Sequence, residues 1–133
     1  MKTRITHRPH GFTLIEISLV IGIIIGLSAI IGFSVNAVQG WQKAKAGSLA
    51  LQAVYAAQRG YMADYPTASI DAVTSTQLLS YLPQGWSTIP VVTGLNGESL
   101  TINCSVMPPY LMLGSNRYDP SNTQSDGLWD VGE

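Results

Sequence analysis

Hydrophobic and polar positions divide this 133-residue chain into three regions of different pattern. The first, residues 12–35, is apolar or small at almost every position and includes a single charged residue, Glu16. As an α-helix its 24 residues would be roughly 36 Å long, against a hydrocarbon core of about 30 Å in a bilayer. This region is therefore predicted to form one membrane-spanning helix.

In the second region, residues 36–65, small and apolar residues recur three and four positions apart, which is the spacing of one stripe on an amphipathic helix. The stripe consists of Ala46, Ala50, Ala53, Val54, Ala57, Tyr61 and Tyr65. Polar residues such as Lys43 and Gln58 lie mainly off it. The pattern predicts that the helix continues to about residue 65, stops before Pro66, and packs its stripe on an outer domain.

The third region, residues 66–133, combines turn signals with short apolar runs. A short helix is expected at about 75–81, and strands at 89–93, 99–106 and 110–113, the first two separated by an Asn96-Gly97 turn. The expected fold class is thus α+β. A long N-terminal helix, membrane-spanning in its first half and amphipathic in its second, packs on an antiparallel sheet of about three strands.

Basic residues before the apolar run set the orientation of the predicted span. Lys2, Arg4 and Arg8 precede the run and the next cation is Lys43, so the N-terminus is expected in the cytoplasm and residues 66–133 outside it. A cleaved secretory signal ending at Val35-Asn36-Ala37 is the alternative interpretation. However, the apolar run exceeds the usual 7–15 residues of such signals, and a charge such as Glu16 does not help one.

Glu16 is the residue in the apolar run that most needs an explanation. An ionisable group costs about 2.5–3.5 kcal/mol at the centre of a bilayer and less near its edge, so its presence indicates a function. The simpler alternative is a carboxylate near a helix end that reaches back to the lipid headgroups.

The segment Gly11-Phe12-Thr13-Leu14-Ile15-Glu16, with a short basic leader before it and an apolar helix after it, resembles the type IV prepilin signature. The resemblance implies that prepilin peptidase removes leader residues 1–11 by cleaving after Gly11, and then methylates the new amine of Phe12. It also implies an inner-membrane assembly platform and other pilins or pseudopilins as partners. Many pilins carry a proline in this helix, whereas here Gly22, Gly26 and Gly32 are the only residues that could loosen it.

Cleavage after Gly11 would create a second charge, the amine of Phe12, at the start of the helix. Glu16 of a neighbouring subunit could neutralise this amine, and a mispaired register would leave a buried charge uncompensated, at a cost of about 3–5 kcal/mol. Ser18, Gly22 and Gly26 recur every four residues, and form a small-residue groove suited to close helix packing in a filament or in a simple dimer.

The C-terminal residues 119–133 contain four of the eight acidic residues in the chain and no basic residue. Asp119, Asp126 and Asp130 could supply oxygen ligands to Ca²⁺, and the major pseudopilins of type II secretion, which the chain resembles in layout, use a C-terminal loop in that way. A solvated, turn-rich loop is the alternative, because the spacing does not follow the EF-hand pattern. No other cofactor is expected.

Several classes of function have little support in the sequence. His7 and His10 lie in the expected leader, no catalytic motif is present, and the single cysteine, Cys104, is on the apolar side of a predicted strand, so we do not expect an enzyme. Beyond the leader there are four basic and eight acidic residues, a side-chain charge of −4, which does not favour nucleic acid as a partner.

The sequence therefore predicts a structural subunit that assembles with copies of itself into a type IV pilus-like filament. Two destinations stay open, a surface pilus and the short pseudopilus of type II secretion. The expected location is the inner membrane, followed by a periplasmic or cell-surface filament. The alternative from another class is a membrane-tethered, exported binding domain that never polymerises.

Overall fold

The computed structural model describes residues 11–132, so residues 1–10 of the predicted leader, with both histidines, lie outside the described part. The main element is helix α1, Leu14–Asp64, which is 51 residues long. Two 3₁₀ turns, one short helix and four strands follow it. In chain order these are a 3₁₀ turn at Ile70–Ala72, α2 at Ser75–Leu78, a 3₁₀ turn at Leu79–Tyr81, β1 at Val92–Thr93, β2 at Ser99–Asn103, β3 at Tyr110–Leu113 and β4 at Asn116–Arg117.

The α+β prediction is confirmed, with one long N-terminal helix and a small antiparallel sheet. The sheet has four strands in the order β1-β2-β3-β4, not about three. The register pairs Leu100 with Val92 on one side of β2, and Ile102 with Leu111 on the other. The first strand was predicted at 89–93, but β1 is shorter and begins at Val92. Pro90, which has no N–H to donate to a neighbouring strand, lies before it.

The described chain divides into two compact units, the first ending at Ala37 and the second beginning at Val38. In the first unit, α1 is long and apolar enough to cross a membrane, and none of its most apolar window is buried against the rest of the protein. Its aliphatic side chains, for example Leu14, Ile15 and Ile25, are exposed. By length and composition this helix is a candidate membrane span.

The second unit holds the hydrophobic core. Leu51 and Val54 of α1, Leu78 of α2, Leu100 of β2 and Leu111 of β3 are completely buried in it. All core residues lie between Ala44 and Trp129, so residues 38–132 contain the whole core.

The buried face of α1 differs from the predicted stripe. Ala50, Val54, Ala57 and Tyr61 are buried as expected, but Ala46 and Tyr65 are exposed. The buried face also includes Ala44, Ser48, Leu51 and Gln58. A stripe of small residues does not reveal that the bulky Leu51 fits beneath the sheet.

Gly47 allows the helix to approach the sheet closely. A Cβ added to it would lie 3.2 Å from Leu111 Cδ1 and Val92 Cγ1, and 3.3 Å from Trp129 Cε3. The cost of a glycine within a helix is about 1 kcal/mol relative to alanine. Here the closer packing of helix, sheet and C-terminal segment offsets that cost.

Gln58, predicted to lie off the buried stripe, is completely buried and joins the helix to the sheet. Its Nε2 donates to the carbonyl oxygens of Cys104 at 2.8 Å and Val106 at 3.0 Å, directly after β2 ends. The Nε2 group thus satisfies two carbonyls that lie outside the strands, while Gln58 Oε1 is buried without a partner among the described residues. These two hydrogen bonds are long-range contacts that the helical periodicity does not predict.

Cys104 is buried, as expected for a small core residue, and its Sγ donates to the carbonyl of Ile102 at 3.7 Å. Burial raises the pKa of the thiol, which lowers the fraction of reactive thiolate.

We therefore expect a thiol reagent at pH 8 to modify Cys104 only after denaturation. The control is Ser105→Cys in a Cys104→Ala background, since Ser105 is exposed and its replacement should react at once in the native protein. Equal native reactivity at both positions would contradict the burial of Cys104.

Candidate functional site

The start of α1 brings the predicted processing and assembly residues together. Gly11, Phe12 and Thr13 precede the helix in an exposed segment, and Leu14 is its first residue. Glu16 lies in the first turn, where the partial positive charge of a helix N-terminus favours a carboxylate. The predicted cleavage position, between Gly11 and Phe12, is therefore just outside the regular helix and accessible.

Thr13 and Glu16 cap this helix reciprocally. The Thr13 Oγ1 accepts from the Glu16 N–H at 3.3 Å, and Glu16 Oε2 accepts from both the Thr13 N–H and its hydroxyl at 3.4 Å. This is the capping-box arrangement, and the Glu16 N–H also donates to the Thr13 carbonyl at 3.1 Å. We did not predict this role for Glu16, although Thr followed three residues later by Glu is its sequence signal.

The contacts to Glu16 Oε2 are at the long limit for hydrogen bonds, which are usually 2.7–3.2 Å for N–H donors. The carboxylate is also exposed. A nearby cation could therefore draw it away from Thr13 at small cost. This geometry leaves Glu16 free to contact a group on another molecule.

The predicted small-residue groove on the first unit is open. A Cβ added to Gly22 or Gly26 would meet nothing within 4 Å. The Ser18 hydroxyl donates to the Leu14 carbonyl at 2.9 Å, so its hydrogen is satisfied within its own helix and the side chain contributes mainly smallness. The groove therefore offers close backbone approach, which is the property that helix packing in membranes requires.

The C-terminal segment is anchored to α1 by Trp129. Trp129 is 4% exposed, its backbone N–H donates to the Ala44 carbonyl at 3.4 Å, and its ring meets the Tyr118 ring edge-on with centroids 5.2 Å apart. Gln52 Nε2 adds a hydrogen bond to the Val131 carbonyl at 3.0 Å. Trp129 and Gln52 together hold the C-terminal segment on the second unit.

Asp130, next to this anchor, is the most unusual carboxylate in the second unit. It is 3% exposed, and its Oδ1 accepts from the N–H groups of Gly127 at 3.0 Å and Gly132 at 2.7 Å. Its Oδ2 is buried and has no hydrogen-bond partner among the described residues. Burial raises the pKa of Asp130, and the neighbouring Asp126 carboxylate raises it further. A cation beside Asp126 and Asp130 would satisfy the unpartnered oxygen.

Asp119, the third predicted ligand, closes a separate turn. Its Oδ1 accepts from the Ser121 N–H at 3.2 Å and from the Ser121 hydroxyl at 2.7 Å. Within residues 11–132 no group of three His, Cys, Asp or Glu side chains is placed to hold a metal ion. The structure therefore brings together two of the three predicted acidic ligands, Asp126 and Asp130, and leaves Asp119 in its own turn.

No protein-family model, curated protein or solved structure matches this chain.

Proposed function

We propose that this chain is a structural subunit of a type IV pilus-like filament, inserted in the inner membrane by the first part of α1 and assembled through it. One observation carries the proposal. The Gly11-Phe12 junction lies exposed directly before a capped, membrane-length helix whose only charged residue up to Lys43 is Glu16 in the first turn. A plain membrane anchor needs neither this junction nor this charge.

Assembly follows from the chemistry of the junction. Cleavage after Gly11 leaves an ammonium or methylammonium on Phe12, directly before Thr13 and the loosely held Glu16 carboxylate. In a bundle of apolar helices neither charge can stay unpaired without a large desolvation cost. Pairing Glu16 of one subunit with the Phe12 amine of the next satisfies both charges and fixes the stagger between the helices. Prepilin peptidase and the inner-membrane assembly platform are the partners this proposal requires.

Processing is the first test of the proposal. Intact-mass analysis of the protein extracted from membranes should show a chain that begins at Phe12 and carries one methyl group on its amine. The control is Gly11→Leu, which should keep its leader, since the resemblance assigns the cleavage to the glycine. A chain that begins at Val38 would establish an ordinary cleaved signal and overturn the filament proposal.

We further propose that the C-terminal loop binds Ca²⁺ through Asp126 and Asp130. Calcium takes six to eight oxygen ligands, so backbone carbonyls and water would complete the set around these two carboxylates. The buried, unpartnered Asp130 Oδ2 is the observation that supports this fit. Bound calcium would neutralise the two carboxylates next to Trp129 and so hold the C-terminal segment on the helix.

Calcium binding predicts a thermal shift. Millimolar Ca²⁺ should raise the melting temperature of the second unit, with a stabilisation of about 2.7 kcal/mol at a hundred times the dissociation constant. Asp126→Ala and Asp130→Asn should each abolish the shift. Asp119→Asn is the matched control and should keep it, because the Asp119 carboxylate accepts from Ser121 and not from the N–H groups that hold Asp130. An unchanged melting temperature in the wild type would mean that the loop is a solvated turn-rich segment.

A further inference from the structure

The second unit has an apolar groove that neither its core nor its C-terminal segment fills. The groove has a volume of about 710 Å³ and lies between α1 and the chain that leads into β1. Its walls are formed mainly by Ala46, Leu49, Ala50, Trp86, Val91 and Val92. Leu49 is 56% exposed and Val91 is 64% exposed. Covering these side chains would remove apolar surface from water, which favours association.

The groove is nearly free of charge. Among the described residues Lys43 is the only charged one that lines it, and the Lys43 ammonium donates to the Leu95 carbonyl at 2.9 Å. Hydrogen bonds within the turn, first of all from the Asn96 side chain, lower the pKa of the Glu98 carboxyl, and the nearby Lys43 ammonium lowers it further, so part of the lysine charge is already balanced. An occupant that brought its own charge into the groove would lose hydration without gaining a partner. The groove therefore favours an occupant with bulky apolar side chains and no charge.

We infer that this groove binds the apolar N-terminal helix of a second copy of the chain. This inference rests on the proposed filament, in which the helix leaves the membrane and must be covered by protein. Between Ile17 and Gln42 the helix carries no charge, and its described aliphatic side chains are exposed in a single copy. The chain thus supplies a groove lined by apolar side chains and a single lysine, and an uncharged helix whose described aliphatic side chains are exposed.

The shape of the groove suits a helix. Ala46 and Ala50 are one turn apart on its α1 side, and their small side chains let another helix come close, while Leu49, Trp86 and Val91 provide larger contact surfaces. Insertion of an apolar helix face into such a groove is a common mode of recognition. Because groove and helix are different surfaces, the contact is heterologous, and its repetition produces an open assembly unless the rotation closes into a ring.

A photo-crosslink tests this contact in the full-length chain. A benzoyl-phenylalanine replaces Leu49, and filaments are assembled from a mixture of isotopically light and heavy subunits in cells that express the assembly machinery. The expected result is a crosslink from position 49 to a peptide within residues 12–35 of a differently labelled copy. The same probe at Leu113, which is 40% exposed on β3, is the control and should give no such crosslink.

Other crosslinks would overturn the inference. They include crosslinks to residues 38–132 of another copy, to residues 12–35 of the same copy, or only to lipid or a different protein. If the wild type yields filaments while position 49 crosslinks elsewhere, the filament proposal stands and the groove contact is wrong. If the sheared fraction contains none of the wild-type chain, both fail.

A pair of matched variants provides a second measurement. Leu49→Glu should reduce the filament recovered at equal levels of processed subunit by at least about tenfold, because it brings a charge into the contact. Leu113→Glu should assemble like the wild type. Both positions are exposed in the single copy, so the melting temperature should change little in either variant. Normal assembly of Leu49→Glu would overturn the inference.

Discussion

Glu16→Val is expected to abolish filament assembly while membrane insertion and cleavage after Gly11 continue. The variant segment is more apolar, so insertion should be intact or improved. Each assembling subunit, however, would bring the Phe12 amine among apolar helices without a compensating charge. A broken buried pair costs about 3–5 kcal/mol, and this cost recurs at every addition. The measurement is the filament sheared from cells, compared at equal amounts of processed membrane subunit.

The capping geometry makes a second variant necessary. Glu16 also accepts hydrogen bonds from Thr13, so the loss of assembly in Glu16→Val could come from a frayed helix start. Glu16→Gln separates the two roles, because glutamine can occupy this position of a capping box and carries no charge. Under the ion-pair mechanism Glu16→Gln fails to assemble like Glu16→Val, while Glu16→Asp, which keeps the charge at shorter reach, is intermediate. Normal assembly of Glu16→Gln would show that capping, not charge, is what Glu16 contributes.

The long helix and its ends could be predicted from the sequence because each depends on local features. An uninterrupted apolar run, a three-and-four periodicity and Pro66 are enough to indicate one helix that ends near Asp64. The short helix near residue 75 also follows from local signals, and its Thr74 N–H donates to Gln77 Oε1 at 2.9 Å, as a capped start requires.

Strand β4 was not predicted because it has only two residues, Asn116 and Arg117, both polar and exposed. No alternation of apolar and polar positions can indicate such a strand. The signal that was present is the turn before it. Gly114, with φ of +63°, and Ser115 connect Leu113 to Asn116 as a two-residue hairpin. The preceding strand and this Gly-Ser pair together would have indicated the fourth strand.

The two candidate sites are the start of α1 and the C-terminal loop with Asp126 and Asp130, and the sequence predicts the first better than the second. The proposed roles of Gly11, Phe12 and Glu16 rest on a short run of neighbouring residues, and the capping by Glu16 follows from a three-residue spacing, so these signals are local in the sequence. The burial of Asp130 is not. It arises because Trp129 and Val131, on either side of Asp130, contact α1 some eighty residues away in the sequence, and no local pattern indicates such contacts.

Trp129 is accordingly the position where a single substitution should most destabilise the second unit. Its ring contacts the face of α1 at Gly47 and the edge of Tyr118, while its own backbone has φ of +66°, an uncommon conformation for a bulky residue. Burial of the ring must offset that conformational cost. Removing the ring leaves the cost in place and opens a cavity between helix, sheet and C-terminal segment.

Trp129→Ala is therefore expected to lower the free energy of unfolding by about 3–5 kcal/mol, the usual range for a buried tryptophan. For a unit of about a hundred residues, each kcal/mol shifts the melting temperature by roughly 4–8 °C. The measurement is thermal unfolding of residues 38–133, which include the whole core, followed by circular dichroism. Trp41→Ala is the matched control. Trp41 lies on α1 and is 57% exposed, so its replacement should change stability by less than about 0.5 kcal/mol. If both variants unfold like the wild type, Trp129 does not anchor the C-terminal segment, and the loop that contains Asp126 and Asp130 is held by other contacts.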